Sequence, residues 1–168
     1  ADARLRCAEF DGTRELVHEA RDLAEKLRDL ETLCECDLLL ARIDILAGRY
    51  ESGFRDGIHA AREARSAGFE WVAVTGYRNL GVLAARAMDQ KTAELAIGEG
   101  LRYADSIEQS HCRQLMATTT AFLDWSGGRW MIADERARQE LADRGCALGV
   151  MGAQEVMGLV ALGRGRAN

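Results

Sequence analysis

A chain of 168 residues suffices for one compact domain, or for about four repeat units of 34 to 45 residues, and buries most of its apolar surface either way. At 48% hydrophobic and 29% charged it lies outside the disordered class, and its net charge of -5 repels nucleic acid, so direct nucleic acid contact is not expected. Proline is absent and β-branched and aromatic residues are sparse beside Ala, Leu, Arg and Glu, which favours uninterrupted helix and gives no reason to expect strands.

Along the chain, a turn at Asp11-Gly12 is followed by Leu16, Ala20, Leu23, Ala24, Leu27 and Leu30, a single apolar stripe with a charged back, as on an outer helix. In the next segment Leu33, Cys36, Leu40, Ile43 and Ala47 form one stripe while Leu39 and Leu46 form a second, which predicts an inner helix buried on more than one side. A turn follows at Gly48-Arg49-Tyr50. The outer helix after it stops at Gly68, where glycine accepts the left-handed conformation that ends a helix.

Met88-Asp89 interrupts the following pattern, and the stripe of Ala93, Ala96, Ile97, Gly100, Leu101 and Ala104 is small enough for a neighbouring helix to approach closely. Cys112, Leu115, Met116, Thr119, Phe122 and Leu123 repeat the apolar inner pattern before Gly128-Arg129-Trp130. A last outer helix is expected to stop at Gly145, and a last turn falls at Gly165-Arg166. From Gly12 to Gly48, Asp89, Gly128 and Gly165 the gaps are 36, 41, 39 and 37 residues, the near-regularity of stacked helical hairpins. The chain is therefore read as all-α, with residues 1–168 forming a single repeat domain cut from a longer protein.

Tyr77-x2-Leu80-Gly81-x2-Ala84, followed by Ala93, Ile97 and Gly100, resembles the tetratricopeptide repeat in residue class and spacing. Gly48-x-Tyr50 and Gly128-x-Trp130-x2-Ala133 are similar to that family's turn between helices, although these repeats run longer and lack its terminal proline. The resemblance implies a TPR-like right-handed α-solenoid of about eight helices in antiparallel pairs. Its inner helices would line a concave groove for a peptide, a protein partner or a small inducer. Carried onto this sequence, the groove positions are Arg42, Arg78, Asn79 and Arg86, joined by Trp125 near the end of an inner helix. Three arginines there suit bidentate pairing with a carboxylate or phosphate; the alternative is that they bridge acidic residues on adjacent helices.

The run Met157-Gly158-Leu159-Val160-Ala161-Leu162-Gly163-Arg164-Gly165-Arg166 is similar to the sensor region of large ATP-dependent LuxR-type bacterial transcriptional regulators. That resemblance implies a non-catalytic protein-protein or ligand-sensing module of such a regulator. A passive assembly scaffold of another bacterial signalling protein, forming homo-oligomers through cut solenoid ends, is the alternative.

No catalytic constellation stands out. The glycine-rich stretches at Ser126-Gly127-Gly128-Arg129 and Gly163-Arg164-Gly165 lack the lysine and hydroxyl of a phosphate loop. Cys34 and Cys36 point about 200° apart on a helix and do not readily share a metal ion. His111 and Cys112 also diverge, and Asp134, Glu135 and Glu140 lie on polar faces that charge solvates. No enzyme activity, cofactor or metal is expected. The odd count of five cysteines points to a reducing cytoplasm, and no apolar run reaches the ~20 residues of a membrane span.

Overall fold

The computed structural model describes residues 10–143 and 146–165. Among them are eight helices and no strand: α1 (Phe10–Leu27), α2 (Leu30–Leu46), α3 (Tyr50–Ser66), α4 (Glu70–Arg86), α5 (Gln90–Ser106), α6 (Ser110–Ser126), α7 (Trp130–Ala142) and α8 (Ala147–Gly163). None is long and apolar enough to cross a membrane.

Helices α2 to α7 begin 20 residues apart, and one local device sets that beat. Arg28, Gly48, Gly68, Met88, Glu108 and Gly128 all have positive φ, between 56° and 85°. The next residue then turns its N–H back to a carbonyl five positions earlier: Arg49 to Asp44 at 2.8 Å, Asp89 to Ala84 at 2.9 Å, Arg129 to Asp124 at 2.8 Å. This is the Schellman closure, which satisfies carbonyls the helix end would otherwise leave bare. Asp29 and Asp89 then cap the following helix by accepting the N–H of Thr32 and Thr92, both at 3.1 Å.

The two Gly-Arg-aromatic turns add a side-chain clasp. Arg49 donates to Asp44 at 2.7 Å and Arg129 to Asp124 at 2.8 Å, and each carboxylate also meets a second arginine, Arg14 and Arg136 respectively. The Asp124 side chain is only 7% exposed, so this pairing matters to it most.

Two expectations are corrected. Asp11 and Gly12 lie inside α1 rather than at a turn, and the turn that opens the series is Arg28-Asp29. The expected α1 stripe is largely exposed, with Leu16, Leu23 and Leu27 at 39%, 57% and 69%, and Leu30 belongs to α2. Of that stripe Ala24 is buried as expected, and it shares its row with Thr13 and Val17. The helix packs on α2, and Leu16 and Leu23 sit one residue, about 100°, round the helix from the contact row. Gly145 lies outside the described residues, as does Cys7.

Contacts group the chain into two units, the first ending at Gly76 and the second starting at Tyr77, so α4 contributes to both. In the first, α1 packs on α2 and α2 on α3. Val17, Cys36 and Ile43 form a core flanked by Leu39 and Leu40, and Arg21 of α1 reaches Asp37 of α2 at 2.9 Å.

In the second unit α5 packs on α6, α6 on both α7 and α8, and α7 on α8. Tyr77, Leu80, Ala84, Ala93 and Ile97 are all buried. A Cβ on Gly81 would stand 2.6 Å from Cγ1 of Ile97, so this glycine lets α4 and α5 touch. Ala121, Ala133, Ala137, Ala153, Val156 and Val160 form the α6–α7–α8 core, an alanine-rich interior that again depends on close backbone approach.

Candidate functional site

Arg42 is half-buried on α2 in the first unit and is described apart from the other predicted residues. Arg78, Asn79, Arg86 and Trp125 fall in the second unit, where α4, α6 and α8 supply their surroundings.

Arg78 and Asn79 are neighbours on α4 and bond each other, Arg78 Nε and Nη2 donating to the Asn79 amide oxygen at 3.2 and 3.0 Å. The remaining terminal nitrogen of Arg78 points to Cys112 Sγ on α6, 3.7 Å away. Two turns later Arg86 extends past α6 to α8, donating through Nη1 and Nη2 to the two oxygens of Glu155 at 2.6 and 2.5 Å. Its guanidinium also lies 4.8 Å from the centroid of Phe122. Fork pairing and ring stacking together hold one orientation, although exposures of 54% and 40% keep the ion pair weak.

Arg86 holds the Glu155 carboxyl below the usual Glu range, burial opposing, and Glu155 raises the Arg86 guanidinium in return. Val82, Ala85, Thr118, Thr119, Gly152 and Val156 complete a shallow depression around this pair. Thr119 is locally satisfied, its hydroxyl donating to the Leu115 carbonyl at 2.8 Å.

Trp125 stacks obliquely on Phe122, with ring centroids 5.4 Å apart, and packs against the α6–α7–α8 core. Arg86, Phe122 and Trp125 are thus linked in series. Of the two readings open for the arginines, Arg86 follows the second, bridging to an acidic residue of another helix.

Glu155 and Phe122 are the members that sequence reasoning did not name for the site. One signal was available: Glu155 is the single charged residue of α8, and a lone charge in an otherwise apolar helix needs a partner. Cys34 is half-buried and Cys36 buried, as opposite faces require, and the four cysteines described are free thiols. No cluster suited to a metal ion occurs among the described residues.

Comparison with protein-family models, with curated proteins and with solved structures finds no match to this chain.

Proposed function

We propose that the chain is a non-catalytic interaction module, a TPR-like right-handed solenoid whose α4–α6–α8 face takes a peptide, protein partner or small inducer. The observation that supports it best is the series Arg86, Phe122 and Trp125, an aromatic and guanidinium surface held in place by Glu155. Such surfaces anchor partners, because rigid aromatic and arginine side chains lose little entropy on binding. An incoming carboxylate would exchange with Glu155 for the Arg86 fork.

The test separates recognition from folding. Arg86→Glu alone sets two carboxylates against each other; Arg86→Glu with Glu155→Arg restores the pair with its polarity reversed. Partner capture that is lost in both, while the double variant melts like the parent, supports the face as the site. Capture retained by the double variant removes it.

The resemblance of residues 157–166 supports the narrower reading of a sensor region in a LuxR-type bacterial transcriptional regulator. Reading the source DNA on both sides tests it: a phosphate-loop module upstream and a helix-turn-helix downstream are expected, and a kinase or cyclase domain would exclude it. A passive scaffold is favoured by the exposed Leu148, Met151 and Leu162 of α8, and predicts concentration-dependent oligomers with no ligand-induced shift in melting.

A further inference from the structure

Helices α1, α3, α5 and α7 start 40 residues apart, at Phe10, Tyr50, Gln90 and Trp130, so the same place on each can be compared directly. On α1 one face carries Leu16, Ala20, Leu23 and Leu27, all exposed, the three leucines at 39%, 57% and 69%. On α3 the places of Leu16 and Leu23 are taken by Asp56 and Glu63, and on α7 by Arg136 and Asp143; all four are exposed. On α5 the places of Leu16, Ala20 and Leu23 are taken by Ala96, Gly100 and Tyr103, and all three are buried.

The array thus puts charge at these places where solvent reaches them, and apolar or small residues where a neighbouring helix covers them. Helix α1 alone breaks the rule. Its three leucines stand in line on a solvent face, the arrangement that marks a surface for association.

The spacing says what covers that face. Leu16, Ala20, Leu23 and Leu27 follow one another at intervals of 4, 3 and 4, the alternation along the seam of a two-helix coiled coil. The seam is also complementary to itself when a second α1 runs antiparallel. In the register that sets Leu16 opposite Leu27, Ala20 stands opposite Leu23, and the two-fold axis repeats both layers with no polar residue in any. The same register brings Glu19 beside Lys26 of the other copy, twice; both are exposed and flank the seam on the side away from the Thr13, Val17 and Ala24 row. A parallel pair loses this match, because it would set Glu19 against Ala24, which is buried already.

We propose that α1 is a self-association face: two copies of this chain dimerise by antiparallel packing of Leu16, Ala20, Leu23 and Leu27, with Glu19 of each paired to Lys26 of the other. The seam is short, so dilution dissociates the dimer. It is a different surface from the α4–α6–α8 face and from the exposed Leu148, Met151 and Leu162 of α8, and it stands or falls without them.

Sedimentation equilibrium of the 168-residue chain, over about 1–200 µM, tests it. A monomer–dimer equilibrium is expected. Leu23→Glu should weaken it by about tenfold or more while leaving helix content by circular dichroism unchanged, since that side chain is already 57% exposed. Glu19→Lys should weaken it by about threefold or more through like charge, and Glu19→Lys with Lys26→Glu should return it close to the parent. That recovery is specific to the antiparallel register, and both positions are exposed, so it is readable even where Leu23→Glu disturbs folding. Met151→Glu should leave the dimer unchanged. A monomer throughout the concentration range, a double charge variant no better than Glu19→Lys, or a dimer that survives Leu23→Glu and is lost in Met151→Glu would each overturn the assignment.

Discussion

The helix-ending residues allow a prediction with both signs. Three of the seven positive-φ positions among the described residues carry side chains, Arg28, Met88 and Glu108, with φ of 58°, 59° and 56°. An L-residue pays about 1–2 kcal/mol for that conformation, while glycine surrenders about 0.5–1 kcal/mol more chain entropy on folding, so each change to glycine nets roughly 0.5–1 kcal/mol of stability. Little packing is lost: Met88 is 62% exposed, and Arg28 and Glu108 are exposed as well. The three sites end different helices and should add to about 2 kcal/mol, or about 6 °C in a chain of this size. The reverse change is equally clean. A Cβ at Gly48, Gly68 or Gly128 meets nothing within 4 Å, so alanine there costs the backbone term alone, roughly 0.5–1 kcal/mol each. Thermal and urea unfolding of the triple glycine variant and of Gly48→Ala measure both. A triple variant no more stable than the parent would refute the argument, since the side chains at these turns would then supply contacts that the exposures exclude.

Glu140→Gln should raise stability at neutral pH by up to about 1 kcal/mol, because it removes a half-buried charge whose desolvation outweighs its attraction to Arg113. The sign follows from the raised folded pKa: the contribution of Glu140 is fully present below its unfolded value of 4.5 and lost as pH rises through the folded one, so the gain should shrink towards acid. At Asp44 burial raises the carboxyl, but hydrogen bonds from Arg14 and Arg49 outweigh it and set the folded pKa low. Its support therefore holds above the unfolded value of 3.8 and falls as pH drops through the folded one; in Asp44→Asn, unfolding should lose part of its acid sensitivity. Asp124→Ala, which strands Arg129 and Arg136 beside a near-buried site, should cost about 2–3 kcal/mol by chemical unfolding. Gly100→Ala would press a methyl onto Met116 and stand 2.8 Å from Cβ of Tyr77, costing about 1–3 kcal/mol, whereas Gly158→Ala meets nothing and should gain roughly 0.5–1 kcal/mol.

The sequence marks a helix end when glycine stands there. Gly48, Gly68 and Gly128 were readable on that ground, and Met88-Asp89 by the break it makes in the apolar pattern. Arg28 and Glu108 carry no local mark, because side chains that adopt positive φ look like any other residue until the 20-residue spacing is noticed. The α1 stripe was misjudged for a different reason: periodicity finds the most apolar face, but burial follows the neighbour, and α2 meets the row of Thr13, Val17 and Ala24. In the candidate site Arg86 was named from the resemblance, whereas Glu155 carried only the mark of a lone charge in an apolar helix, since their pairing spans 69 residues. The side-chain oxygen of Gln114 on α6 accepts the Cys146 N–H at 2.6 Å across 32 residues, a tie equally invisible to local spacing.

The broken beat is where a local rule yields without unsettling the packing. Gly165 follows Gly128 by 37 residues where the beat would give 40, a loss of three residues. The residues are lost from α7, ahead of the connection, while α8 keeps the 17-residue length of the other helices, so Val156 and Val160 still reach the core. What disappears is most of a turn of α7, which has 13 residues where α2 to α6 have 17. Departures that keep the core but expose polar groups are the places to look for function. Inserting three alanines between Ala142 and Asp143 tests this directly. The variant should restore the 40-residue spacing between turns and unfold no more easily than the parent, while leaving capture at Arg86 intact. An insertion variant that unfolds well before the parent would show that packing, and not local helix length, fixes the shortened step.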